Sequence, residues 1–193
     1  MKTLILICLV AACHPSIRSW PSNYEKALTR WSSIEDINAW IGAHFEYDME
    51  RALALSETQR TGTSQTPIYT PEHLYGVPRG TCVDLARFAY ETALRVVPGM
   101  TLHYLMVEFE PLEIRGNTMR RHWFVTFERN GKLYGFGDSN RPGIITGPYD
   151  SLAEMVHDYE QYRARKIVDA QQRDSFEKRQ KMVRQRAIGR SRS

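Results

Sequence analysis

Three residues able to carry nucleophilic chemistry on an acyl group fall within one short span: Cys82, His122 and Asp138. Thr81-Cys82-Val83-Asp84 is a capping box, which opens a helix. With Thr81 as N-cap, Cys82 takes the first helical position. Unpaired backbone N–H groups and the helix dipole make that place electropositive, which favours a thiolate. The same N–H groups can hold the oxyanion formed when a thiolate adds to a carbonyl. Gly80, just before the cap, is expected to let a substrate backbone come close.

A thiol nucleophile needs a base, and the base needs an orienting group. Of six histidines, His14 precedes the folded region, His44 and His157 sit on helical patterns, and His73 sits in a loop. His103 begins a strand pattern. His122 lies on residues 121–128, an aromatic and β-branched run that reads as a strand. Asn130-Gly131 is a two-residue hairpin turn. The return strand over 132–138 then places Asp138 nearly opposite His122, within side-chain reach. Each residue has an ordinary reading by itself: a small core thiol, a satisfied strand imidazole, a turn-forming aspartate. The solitary thiol, the helix start and the hairpin pairing reinforce one another.

These residues need elements to position them. Ser32-Ser33-Ile34-Glu35 reads as a capping box with Ser32 as N-cap. Apolar residues from Ile34 to Phe45 follow at helical spacing, and the helix is expected to reach about Ser56. Residues 57–80, rich in Thr, Gly, Pro and Ser, read as a long loop. The Cys82 helix ends near Pro98-Gly99. Strands follow, and Ser151-Leu152-Ala153-Glu154 caps a last helix. Helices, then antiparallel strands, then a helix make an α+β domain.

The chain has 193 residues, with 42% hydrophobic and 25% charged, enough to bury a core. Three cysteines, Cys8, Cys13 and Cys82, give neither a disulfide scaffold nor a clustered Cys/His set, so no metal or cofactor is expected. The net charge of +4 is uneven: residues 161–193 carry +8 and the rest −4. The basic tail reads as a solvated helix. Its functional alternative is contact with anionic lipid or lipopolysaccharide phosphate, and no nucleic-acid motif is visible.

One lysine, a short apolar run from Leu4 to Val10 and small residues open the chain. Val10-Ala11-Ala12-Cys13 resembles a bacterial lipobox, which implies lipidation of Cys13 and removal of residues 1–12. His14, by resemblance to bacterial sorting rules, implies the outer membrane, facing the periplasm. The expected organisation is a signal peptide over 1–12, a lipid-anchored tether over 13–31, a domain over 32–168 and a basic tail over 169–193.

The pattern Arg79-Gly80-x-Cys82-x-Asp84-x-Ala86, then His122-Trp123-Phe124-Val125, then Gly135-x-Gly137-Asp138 resembles the transglutaminase-like superfamily of papain-like cysteine enzymes. The upstream Trp40-Ile41 and Phe45-x-Tyr47-Asp48 fit the same pattern, and the resemblance covers about residues 33–155. It implies a papain- or transglutaminase-like core with Cys82 as nucleophile, His122 as general base and Asp138 as its orienter. It also implies a protein or peptide substrate attacked at an amide through a thioester, with water or an amine as acceptor. Tyr75, Gln65 and Trp123 are candidates for oxyanion or substrate contacts. The chain lacks the extra β domains and calcium-site regions of the animal crosslinking enzymes. Two alternatives stand beside this reading. One is an acyltransferase of the arylamine N-acetyltransferase kind, whose Arg-Gly-Gly-x-Cys signature differs from Arg79-Gly80-Thr81-Cys82 here. The other is a non-catalytic envelope binding module.

Overall fold

A computed structural model describes residues 19–59 and 66–175. The signal segment, Cys13, Gln65 and most of the basic tail lie outside the described residues. The elements run α1 (Tyr24–Arg30), α2 (Ile34–His44), β1 (Glu46–Tyr47), α3 (Met49–Ala54), α4 (Pro71–Gly76), β2 (Arg79–Gly80), α5 (Cys82–Val96), β3 (Leu102–Ile114), β4 (Asn117–Arg129), β5 (Lys132–Phe136), β6 (Thr146–Tyr149), α6 (Leu152–Arg163) and β7 (Ile167–Arg173). Helices and an antiparallel sheet thus combine as the α+β pattern implies. Among the described residues no helix is long and apolar enough to cross a membrane.

Five strands form one antiparallel sheet in the order β6-β5-β4-β3-β7. Strand alternation sends successive side chains to opposite faces. Along β4, Trp123, Val125 and Phe127 join the cluster built on α2, α4 and α5. Phe124 joins Leu105, Val107, Phe109, Met155 and Tyr159 under α6. On α5, Leu85, Ala86, Phe88, Ala89 and Ala93 form the buried stripe that a 3.6-residue period requires. The β4–β5 hairpin turns at Asn130 (φ 53°) and Gly131 (φ 71°), both left-handed, as its Asn-Gly sequence predicts.

Three expectations are corrected. The cap of α2 is Ser33 and not Ser32; its hydroxyl accepts from the Asp36 N–H at 3.2 Å, and Glu35 instead pairs with Arg129. Asp36 is the better partner because its carboxylate also accepts from the Ser32 N–H. The helix expected to reach Ser56 stops at His44, because the chain extends at Phe45 to pair β1 with β2 in parallel. Asp48 then caps a separate α3, accepting from the Arg51 N–H at 3.0 Å. The expected loop over 57–80 contains α4, started by Thr70 and Pro71, together with β2. Packed structure also occurs outside residues 32–168: Tyr24, Ala27 and Trp31 are buried, and β7 pairs with β3.

The start of α5 hangs on one buried carboxylate. Asp84 Oδ2 accepts from the Thr81 N–H (2.9 Å), the Thr81 hydroxyl (2.8 Å) and Arg51 Nε (2.8 Å). Its Oδ1 accepts from Arg51 Nη2 (2.9 Å) and the Tyr69 N–H (2.8 Å). The guanidinium lies 3.5 Å from the centre of the Tyr69 ring. Burial alone would raise the Asp84 pKa, but Arg51 and the backbone donors hold it below its ordinary value. Breaking such a pair from one side leaves an uncompensated charge. Arg51→Ala should therefore cost about 3–5 kcal/mol in urea unfolding. Arg51→Lys should recover only part of this, because lysine lacks the planar fork. A loss below about 1 kcal/mol for Arg51→Ala would show that Asp84 needs no such partner.

Candidate active site

Cys82 is the first residue of α5 and Thr81 is its N-cap, as the sequence pattern predicts. Cys82 is a free thiol, partly buried against the α5 core. Gly80 does something other than the expected opening for substrate. It is buried, and a Cβ there would meet Leu74 Cδ1 at 3.0 Å and Asp84 Cβ at 3.1 Å. Its missing side chain lets β2 press against the start of α5.

His122 sits on β4, and its ring stacks on Tyr159 of α6, with centroids 5.7 Å apart and planes 19° apart. Asp138 lies just past β5. The last pair of the β4–β5 ladder is Val125 with Phe136. Continued strictly, that register would set Ser139 opposite His122 and Asp138 opposite Trp123, on the wrong face. Gly137 breaks the alternation with φ +65°, and Asp138 then turns onto the His122 side. A Cβ on Gly137 would also meet Ala89 Cβ at 2.5 Å. The result is a 2.8 Å hydrogen bond from His122 Nε2 to Asp138 Oδ1.

Asp138 is held from several sides. The Asn140 N–H donates to Oδ1 at 2.8 Å and the Tyr159 hydroxyl donates to the same oxygen at 3.2 Å. Arg141 Nε reaches Oδ2 at 3.4 Å. Asn140 Nδ2 donates to the Tyr159 hydroxyl at 3.0 Å and lies 3.1 and 3.3 Å from the two ring nitrogens of His122. Burial would raise the Asp138 pKa, but the charge and hydrogen bond of His122, the Asn140 N–H and Arg141 together lower it to about 2.

The imidazole shows the opposite balance. Burial pulls its pKa down, while the Asp138 charge and hydrogen bond, with the influence of Cys82, raise it to about 9. Nε2 is committed to Asp138, which leaves Nδ1 outside that bond. The structure thus joins His122 of β4 to Asp138 just past β5 by a hydrogen bond, and the charge of Cys82 at the start of α5 acts on the same imidazole. A nucleophile, a base and an orienting carboxylate in this relation can form and break an acyl–sulfur bond.

The other candidates are placed differently. Tyr75 gives its hydroxyl to the Pro21 carbonyl at 2.6 Å and stacks on Trp40 at 4.8 Å, so it serves the helical core. Trp123 is buried edge-on to Tyr104, on the sheet face opposite His122. Four contributors escape sequence reading: Arg51, Asn140, Arg141 and Tyr159. Asn140 and Arg141, in the Asp-Ser-Asn-Arg run after β5, carry the clearest signal, since polar side chains two and three residues past an aspartate can turn back on it. Among the described residues no group of three or more His, Cys, Asp or Glu side chains is placed to hold a metal ion.

The sequence matches no protein-family description and no curated protein. The backbone is similar to that of LapG from Legionella pneumophila in its calcium-bound form, with a TM-score of 0.40 and 17% identity. That match covers 72% of this chain and 62% of LapG. The EGTA-treated form of LapG matches at a TM-score of 0.40 and 18% identity, over 72% of this chain and 61% of LapG. The chain therefore spans less than two thirds of the LapG chain.

The paired shifts give a pH signature. Asp138 contributes stability fully above its ordinary value of 3.8, and loses it as pH falls towards about 2. His122 contributes fully below its ordinary value of 6.5, and loses it as pH rises through about 9. In an NMR titration the His122 ring should stay protonated through neutral pH and titrate near pH 9. Asp138→Asn should drop the midpoint well below that, because burial then acts against a weaker partner. A wild-type midpoint at or below 6.5 would contradict this electrostatic arrangement.

Proposed function

We propose that the protein is a cysteine enzyme acting on amide bonds of a protein or peptide substrate, built on a papain- and transglutaminase-like core. The observation that supports this most is the His122–Asp138 hydrogen bond on an imidazole whose ionisation is also governed by a thiol at a helix N-terminus. In this reading the thiol proton already rests on His122, which is protonated through neutral pH, and Cys82 Sγ adds to the scissile carbonyl carbon. Backbone N–H groups at the start of α5 receive the oxyanion. Collapse breaks the C–N bond, and His122 returns the proton to the departing amine. A thioester remains. Water, or a second amine, then attacks its carbonyl carbon with His122, now neutral, as base; the C–S bond breaks and the proton taken from the attacking group stays on His122, as at the start. Asp138 holds the imidazole in register and stabilises its charged form without taking the proton itself. Anchoring in the envelope through Cys13 belongs to the same reading and is supported by the leader pattern.

The test is turnover of a peptide-amide library by the purified protein, with acid-quenched samples digested for mass analysis. An acyl adduct should appear on the fragment carrying Cys82. Cys82→Ala should lower kcat/KM by about a thousandfold or more with no loss of fold, and Asp138→Asn by about a hundredfold or more. Turnover that survives Cys82→Ala would refute the proposal.

A further inference from the structure

The turn that carries Asp138 is gripped on two sides. It is closed by the Arg141 N–H, which donates to the Asp138 carbonyl at 3.1 Å. On one side lies α6. The Arg141 guanidinium stands 4.2 Å from the centre of the Tyr162 ring and 5.0 Å from that of Tyr159. Its Nε reaches Asp138 Oδ2 at 3.4 Å, and its Nη1 lies 3.7 Å from Asp158 Oδ2. Asp158 is itself held, accepting from the Tyr149 hydroxyl at 2.7 Å. The Tyr162 hydroxyl donates to the Asn140 carbonyl at 2.8 Å. Asp158, Tyr159 and Tyr162 of α6 thus all meet the turn.

On the other side lies α2. The chain runs on from Arg141 to Gly143, which is left-handed at φ +79°. A Cβ on Gly42 of α2 would meet Gly143 Cα at 2.8 Å, and one on Gly143 would meet Gly42 Cα at 2.5 Å. Two backbones touch there with no room for a side chain on either. The Ile144 N–H donates to the Arg141 carbonyl at 3.1 Å, which ties this contact to the arginine.

We propose that Arg141 is a positioning residue: together with the Gly42–Gly143 contact it clasps the Asp138 turn between α6 and α2, and so holds Asp138 Oδ1 on His122. Its catalytic meaning rests on the proposed role of His122, but the bond it positions can be read without turnover.

Arg141 also has an ordinary reading, as a counter-charge to two aspartates. The two readings act on His122 in opposite directions. The groups that bear on the imidazole are Asp138, the Cys82 thiol and the Tyr159 ring. As a cation beside Asp138, Arg141 disfavours the imidazolium, so loss of the charge alone would raise the His122 midpoint. As a clasp, its loss lets the carboxylate turn away, and burial then lowers the midpoint.

The measurement is the NMR titration of His122 in the full chain, with a thermal melt to check that each variant folds. Arg141→Gln should lower the midpoint by about one pH unit. Arg141→Lys keeps the charge but lacks the planar fork that packs on Tyr162, and should lower it less, in the same direction. Gly42→Ala should lower it too, because the added methyl must push Gly143. Arg129→Gln, whose side chain pairs with Glu35, should leave it unchanged. An unchanged or raised midpoint in Arg141→Gln or Gly42→Ala would overturn the clasp, and so would an equal fall in Arg129→Gln. Where Arg141→Gln does not melt cooperatively, Tyr162→Phe decides. It removes only the hydroxyl on the Asn140 carbonyl, and a midpoint that does not fall would overturn the clasp. Midpoints in the expected order with no peptide-amide turnover by the wild type would count against the catalytic reading and leave the clasp standing.

Discussion

The structure depends on one buried carboxylate, Asp84, and on the five donors that make its burial tolerable. An ionised carboxylate out of water is costly unless paired and fully hydrogen-bonded. Meeting that demand draws together Arg51 of α3, the backbone at Tyr69 and the Thr81 cap. Those partners come from parts of the chain with no other reason to meet. Their convergence fixes where α5 begins, and therefore where the Cys82 thiol stands. The same requirement explains Gly80, since a side chain there would collide with Asp84 and Leu74.

The second half of the site is set by strand geometry. The Asn130-Gly131 turn fixes the register of β4 against β5, and Gly137 departs from it at the position where Asp138 must change faces. Tyr159 then closes the site from α6, with its ring on the imidazole and its hydroxyl on the Asp138 carboxylate. The imidazole is thus held by a strand, a strand end and a helix. Holding reacting groups in a ready arrangement is how a protein lowers a barrier without reorganising at the moment of reaction.

Much of this is legible in the residue order. The Thr81–Asp84 box places the thiol, and the Asn130-Gly131 turn places His122 near Asp138, because both signals are local and rest on backbone chemistry. What is not legible depends on contacts distant in sequence. Nothing around Arg51 announces a partner 33 residues away. β1 and β2 are two residues each, too short to show alternation, so the break after His44 is hidden within a helical pattern. The β3–β4 turn uses Arg115 (φ 49°) and Gly116, and an arginine in the left-handed region is not a residue type that marks such a turn. β7 has mixed polarity and lies where the apolar face of the last helix thins, so only its pairing with β3 reveals a strand.

The central claim is that His122 governs the reactivity of Cys82. Alkylation of Cys82 by iodoacetamide across pH 5–10 in wild type and His122→Ala tests this most directly. The account predicts a wild type that alkylates faster than His122→Ala at neutral pH, with a profile that changes as the imidazole loses its proton near pH 9. The variant should react more slowly and lack the change near pH 9, because it has no imidazole to titrate there. Superimposable curves for the two proteins would contradict it and leave Cys82 an ordinary thiol at a helix start.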